Sequence, residues 1–119
     1  MADIATGQTT ADLWDTACRL FGDRTFLVHL SQDGRRTELT YAEFGALTHQ
    51  AAHAFSAVGV GLGDTVVLQL RHAPAMVAAL FGLAEIGAVA VPTGQTATPA
   101  ELLRGYRACP ARWAVAAAA

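Results

Sequence analysis

Lysine is missing from this chain. All eight basic residues among its 119 are arginine, so it can offer no Schiff-base amine and no lysine clamp on a phosphate. Charge is scarce too. Asp, Glu, Lys and Arg make up 15% of the residues, against about 25% in an ordinary soluble domain. The formal net charge is −2, so no global field draws nucleic acid or an anionic membrane towards it. Cysteine is limited to Cys18 and Cys109. They lie too far apart for metal-type spacing and read as buried or incidental thiols in a reducing compartment. The first ten residues, MADIATGQTT, hold an acidic side chain and no apolar run. That is unlike a secretory signal and sets the expectation of a cytoplasmic protein.

Apolar residues are plentiful: 53% of the chain is hydrophobic, much of it alanine. The longest weakly charged stretch runs for about nineteen residues from Ala73 to Val91, near the length of a membrane span. Three residues argue against a span. Glu85 would lie inside the bilayer at a cost of a few kcal/mol. Pro74 suits the first turn of a helix, and Gly87 suits the position just past its end. The stretch therefore reads as a buried helix from about Pro74 to Ile86 and a buried strand from about Ala88 to Val91. Upstream, Thr65 to Leu70 in GDTVVLQL is rich in β-branched and aliphatic residues and reads as another strand. Strand, helix and strand within about 27 residues make a βαβ unit with parallel strands and a right-handed crossover. Parallel strands are covered on both faces, which accounts for the continuous apolar runs.

The remaining pieces read by the same logic. In TADLWDTACRLF, Leu13, Trp14, Ala17, Leu20 and Phe21 form one helical stripe. Thr9 and Asp12 resemble a capping pair, and Gly22 can end the helix. TFLVHL and RRTELT flank the turn-rich SQDG and form a hairpin. Thr40 and Glu43 make a capping box at the start of a long helix. Phe44, Leu47, Ala51, Phe55 and Val58 line one face of it, and Gly59 or Gly61 stops it. After the polar loop TGQTAT, Thr98 caps a last helix from Pro99 to about Arg107, and ARWAV reads as one more strand. The expected fold is α/β, a hairpin plus helices followed by a parallel βαβ core. It forms one domain over residues 1–119, with no linker, repeat or second domain visible.

Five segments carry a resemblance: DLWDTACRLFGDRTFLV, LTYAEF, HAFSAVGVGLGDTVVLQL, GLAEIGAVAVP and TPAELLRGYRACPARWAV. Their order and gaps resemble the N-terminal part of the adenylate-forming ligases: acyl-CoA synthetases, luciferases and nonribosomal-peptide adenylation domains. The resemblance covers about residues 10 to 115. The Gly-Asp before the strand and the Gly-Ala-X-X-Val-Pro after the helix weigh most. CoA ligases of the crotonobetaine/carnitine type look nearest. Such a resemblance implies a partial domain, the N-terminal α/β subdomain of an AMP-forming ligase. It implies a carboxylate that attacks the α-phosphorus of ATP, and a thiol, usually that of coenzyme A, that then displaces AMP. ATP, Mg²⁺ and CoA are thus implied for a full-length enzyme. The family's phosphate loop, its lysines and its C-terminal lid find no counterpart in these 119 residues, so the chain alone is expected to bind no cofactor and to be inactive. Its expected partners are the remainder of the ligase chain, or copies of itself meeting through exposed strand edges. The alternative is a stand-alone, non-catalytic interaction module derived from such an enzyme. This chain also departs from the pattern. Arg71-His72 stands where many relatives carry Pro-Asn, Gly94-Gln95-Thr96 where many carry Asn-Pro-Arg, and Glu85 where a lysine is common.

No residue is assigned a catalytic, cofactor-binding or metal role. Four are substrate-side loop candidates, because ligands of open α/β sheets sit beyond the carboxyl ends of strands. Arg71 and His72 follow one strand directly, and Thr93 and Gln95 follow the next; a surface-loop or helix-capping role competes with that reading. His49 and His53 stand four apart on the long helix, a spacing that can chelate a metal. Their direction is opposite the apolar stripe, so they read as a solvated face. Trp14, Phe44 and Phe55 read as core.

Overall fold

A computed structural model describes residues 9–94 and 96–116. Helix α1 (Thr10–Phe21) leads into a hairpin of β1 (Thr25–Leu30) and β2 (Arg36–Thr40). Helix α2 (Tyr41–Ala57) follows, then β3 (Thr65–Gln69), α3 (Pro74–Glu85), β4 (Val89–Pro92), α4 (Pro99–Ala108) and β5 (Trp113–Ala116). The hairpin is antiparallel. Strands β3, β4 and β5 form a parallel sheet in the order β4-β3-β5. The α/β class, the hairpin and the parallel βαβ unit are as the sequence predicts.

Local chemistry sets the element ends. Thr9, Thr40 and Thr98 each accept the backbone N–H three residues on, and Asp12, Glu43 and Glu101 return a bond to the cap's own N–H. Each box satisfies two donors that a helix start leaves open. Those bonds from Thr40 hold the Glu43 carboxyl below its usual range. Gly59, with φ of +103°, turns the chain just after the α2 cap, and Gly87, with φ of +76°, does the same after α3. Side chains rarely tolerate that backbone region.

Helix α3 lies between two apolar clusters, which explains its uniformly apolar sequence. On one side Met76, Ala79 and Leu83 pack with Val66 and Leu68 of the sheet. On the other, Ala78 is buried with Trp14 and Phe44, and Phe81, Phe26 and Leu47 close around them. Here Trp14 meets Phe26 and Phe81 with ring centroids 4.6 and 4.9 Å apart. The hairpin register slips between Thr25 and Leu27, and Phe26, in the slipped stretch, joins this cluster. A helix that is apolar all round belongs in a core or a membrane. Here it is core, and no helix among the described residues is long and apolar enough to cross a membrane.

A glycine lets α2 and α3 come close together. A Cβ added at Gly82 would lie 2.8 Å from Ala51 Cβ and 2.9 Å from the Ala52 nitrogen. The two helices pack through small residues at that point.

Two expectations about helix faces need correction. Val58 is 60% exposed, because it caps α2 where the chain leaves the core. The buried line of α2 is Phe44, Gly45, Thr48 and Ala52, with Leu47, Ala51 and Phe55 partly covered. Thr48 tolerates burial because its hydroxyl donates to the Phe44 carbonyl at 3.0 Å. On α1, Leu20 is half exposed; Trp14 and Ala17 carry the burial.

Gly82→Ala is expected to destabilise the chain by about 1–3 kcal/mol through overpacking. Gly105 of α4 meets nothing within 4 Å, so Gly105→Ala should be neutral or stabilising, by up to about 1 kcal/mol. Urea titration of both variants checks the contrast.

Candidate functional site

Strand β3 is central, and the sheet's two crossovers, through α3 and through α4, pass over opposite faces. Val66 and Leu68 face α3. Val67, Gln69, Val91 and Thr93 line the other face beneath α4. The loops after β3 and β4 therefore diverge, one towards each face. Ligands of open α/β sheets bind in the crevice that such divergence creates. Arg71 and His72 stand on the first loop and Thr93 on the second. Gln95 lies outside the described residues.

Thr93 is engaged in the fold. Its N–H donates to the Leu68 carbonyl at 2.8 Å and its hydroxyl to the same oxygen at 3.2 Å. It extends the ladder beyond Pro92 and latches the end of β4 to β3. It also borders a groove of about 270 Å³ between the sheet and α4.

Arg71 and His72 are exposed. With His29, Ser31 and Gln32 of the hairpin they line a cleft of about 410 Å³. His72 also borders an apolar cavity of about 390 Å³ formed by Leu27, Val28, Met76, Val77 and Leu80, among others. The structure thus brings Arg71 and His72 together and leaves Thr93 in a separate groove. The hairpin residues escape sequence reasoning, because SQDG signals only a turn and nothing local says which loop it faces. Behind the cleft, α3 starts at Ala73, which offers no side-chain acceptor to the first turn.

His49 and His53 do not act together. His49 Nδ1 lies 2.6 Å from Glu85 Oε1 of α3, an ion pair whenever the imidazole is protonated. This solvent-facing tie stands three residues from Gly82. His53 is exposed. Among the described residues no three His, Cys, Asp or Glu side chains are grouped to hold a metal. Cys18 is no activated nucleophile either. Burial, then the nearby Asp15 charge, pushes its thiol up, and its Sγ donates to the Tyr41 carbonyl at 3.4 Å.

The arrangement is the N-terminal α/β subdomain of adenylate-forming enzymes. The chain belongs to the AMP-binding enzyme family, which matches residues 14–119. It is 36% identical over 90 residues to a crotonobetaine/carnitine–CoA ligase of Salmonella paratyphi A and equally to that of Salmonella typhimurium. The matched region is 76% of this chain and 17% of those relatives, so the chain spans a small part of their length. Among solved structures, the N-terminal subdomain of Klebsiella oxytoca NpsA superimposes with a TM-score of 0.86 at 23% identity, over 98% of this chain and 29% of that one. An acyl-CoA synthetase of Brucella canis gives 0.83 at 24% identity, over 97% and 21%. These structural likenesses establish the fold.

A chelator should leave the melting temperature unchanged, since the His49 ring is matched to Glu85 rather than to a metal. Loss of several degrees that zinc restores would return His49 and His53 to consideration as ligands.

Proposed function

We propose that the chain is the N-terminal scaffold segment of an ATP-dependent carboxylic acid:CoA ligase that works through an acyl adenylate. The 36% identity over 90 residues with crotonobetaine/carnitine–CoA ligases carries this reading. ATP, Mg²⁺ and CoA belong to the whole enzyme. The residues here do not fit a site for them. Charge developing at the α-phosphorus and on the departing pyrophosphate calls for a metal and fixed cations. This chain has no lysine, and its described carboxylates are not grouped as a cation site.

Its part is architectural. The core of α2, α3 and β3 fixes the sheet, and β4 and β5 stand at the sheet's two edges. Unpaired edges invite pairing with further chain. The partner of those edges is the remainder of the ligase, and in its absence a second copy of the segment.

The assay is ATP–pyrophosphate exchange with a panel of carboxylic acids, alongside light scattering. The purified 119-residue chain should show no exchange, since loss of even one well-placed transition-state donor costs about a hundredfold to a thousandfold. It should sediment as a dimer or larger. Exchange by this chain alone would overturn the scaffold reading. An inactive, well-behaved monomer would favour a self-sufficient interaction module instead.

A further inference from the structure

We propose that the cleft between the hairpin and the β3–α3 loop binds a phosphate monoester that carries an apolar body. Two observations meet here. The first cleft, about 410 Å³, has Arg71 and His72 on one side and His29, Ser31 and Gln32 on the other, with Leu30 and Ala73 adding apolar surface. The apolar cavity, about 390 Å³, shares His29, His72 and Ala73 with it. The two volumes border the same side chains and form one amphiphilic groove.

The half that holds Arg71 and the two histidines suits an anion. No acidic residue lines it. Asp33, in the hairpin turn outside that lining, accepts from the Ser31 hydroxyl and the Arg35 N–H. Among the described residues Arg71 has no ion-pair partner. A planar carboxylate is satisfied by one guanidinium fork. A tetrahedral phosphate presents oxygens in several directions, which matches an arginine and a histidine on one wall with a histidine and an amide on the other. The apolar half adds Leu27, Val28, Met76 and Leu80, which would cover a ring or short alkyl chain attached to the phosphate. The groove is formed by side chains of this chain alone. It does not rest on the ligase reading, and its test needs no ligase activity.

Nitrogen-15 amide spectra of the 119-residue chain test it, with phenyl phosphate, inorganic phosphate and phenol as probes. Phenyl phosphate should give saturable shifts at residues 29–32 and 71–73. Inorganic phosphate should shift the same amides more weakly, and phenol should leave residues 29–32 unmoved. Arg71→Gln, at an exposed position, should weaken both phosphates by about tenfold, the loss expected for one charge-assisted contact. Val28→Asn should weaken phenyl phosphate and spare inorganic phosphate. Arg104→Gln, on α4, should change neither. Amides elsewhere in each spectrum report whether the variant is folded. Shifts that never saturate, that fall outside the groove, or that survive Arg71→Gln would overturn the anion site. Equal affinity for the two phosphates would overturn the apolar half and leave a simple anion cleft.

Discussion

The rest of the structure depends on how closely α2 and α3 approach at Gly82. With no side chain there, Ala51 and the backbone of Ala52 come against the α3 backbone. That approach lets α3 touch the parallel sheet on one side and the aromatic cluster of α1 and the hairpin on the other. Leu83, completely buried, and Met76, 5% exposed, contribute about 1.5–3 kcal/mol each by burial. A wider spacing would separate the two clusters and leave two small cores in place of two that share a wall. The His49–Glu85 contact spans the same helix pair at its solvent edge. Being exposed, it adds at most about 1 kcal/mol, so the apolar contact dominates.

What the sequence makes legible is local. Thr40 with Glu43, Thr98 before α4, and Gly87 after α3 act over three or four residues, and each marks an element end the structure repeats. The β-branched stretch of β3 and the apolar run of α3 are legible for the same reason. Contacts between distant segments are not. Nothing near His49 points to Glu85, which lies 36 residues away. Thr48 looks too polar for a core until its hydroxyl is seen to bond back along its own helix. Val58 continues the apolar stripe by spacing, yet the helix has left the core by then. The candidate site divides likewise. The loop position of Arg71 and His72 is legible because they follow a strand. His29 and Ser31 were not, because the hairpin's orientation towards α3 is a matter of tertiary packing. The position of Thr93 after β4 is legible, whereas its bond to the Leu68 carbonyl is not.

The same geometry sets what the segment presents. One face of the parallel sheet is sealed by α3. The other carries α4, none of whose residues is buried, with Leu103 and Tyr106 about half exposed. The sheet is thus firmly held from one side and lightly covered on the other. This asymmetry suits the proposed scaffold role, which needs a rigid half and a half open to further chain. The amphiphilic groove lies on the rigid half, beside the start of α3, where its walls are fixed by the core.

Native-state hydrogen exchange tests that division most directly. The account predicts the slowest amides in β3 and along α3 around Leu83, where opening requires separating α2 from α3. The amides of α4 should exchange near the rate of local fraying. Protection of α4 equal to that of β3 would contradict the account, because the core would then have to close around both faces of the sheet.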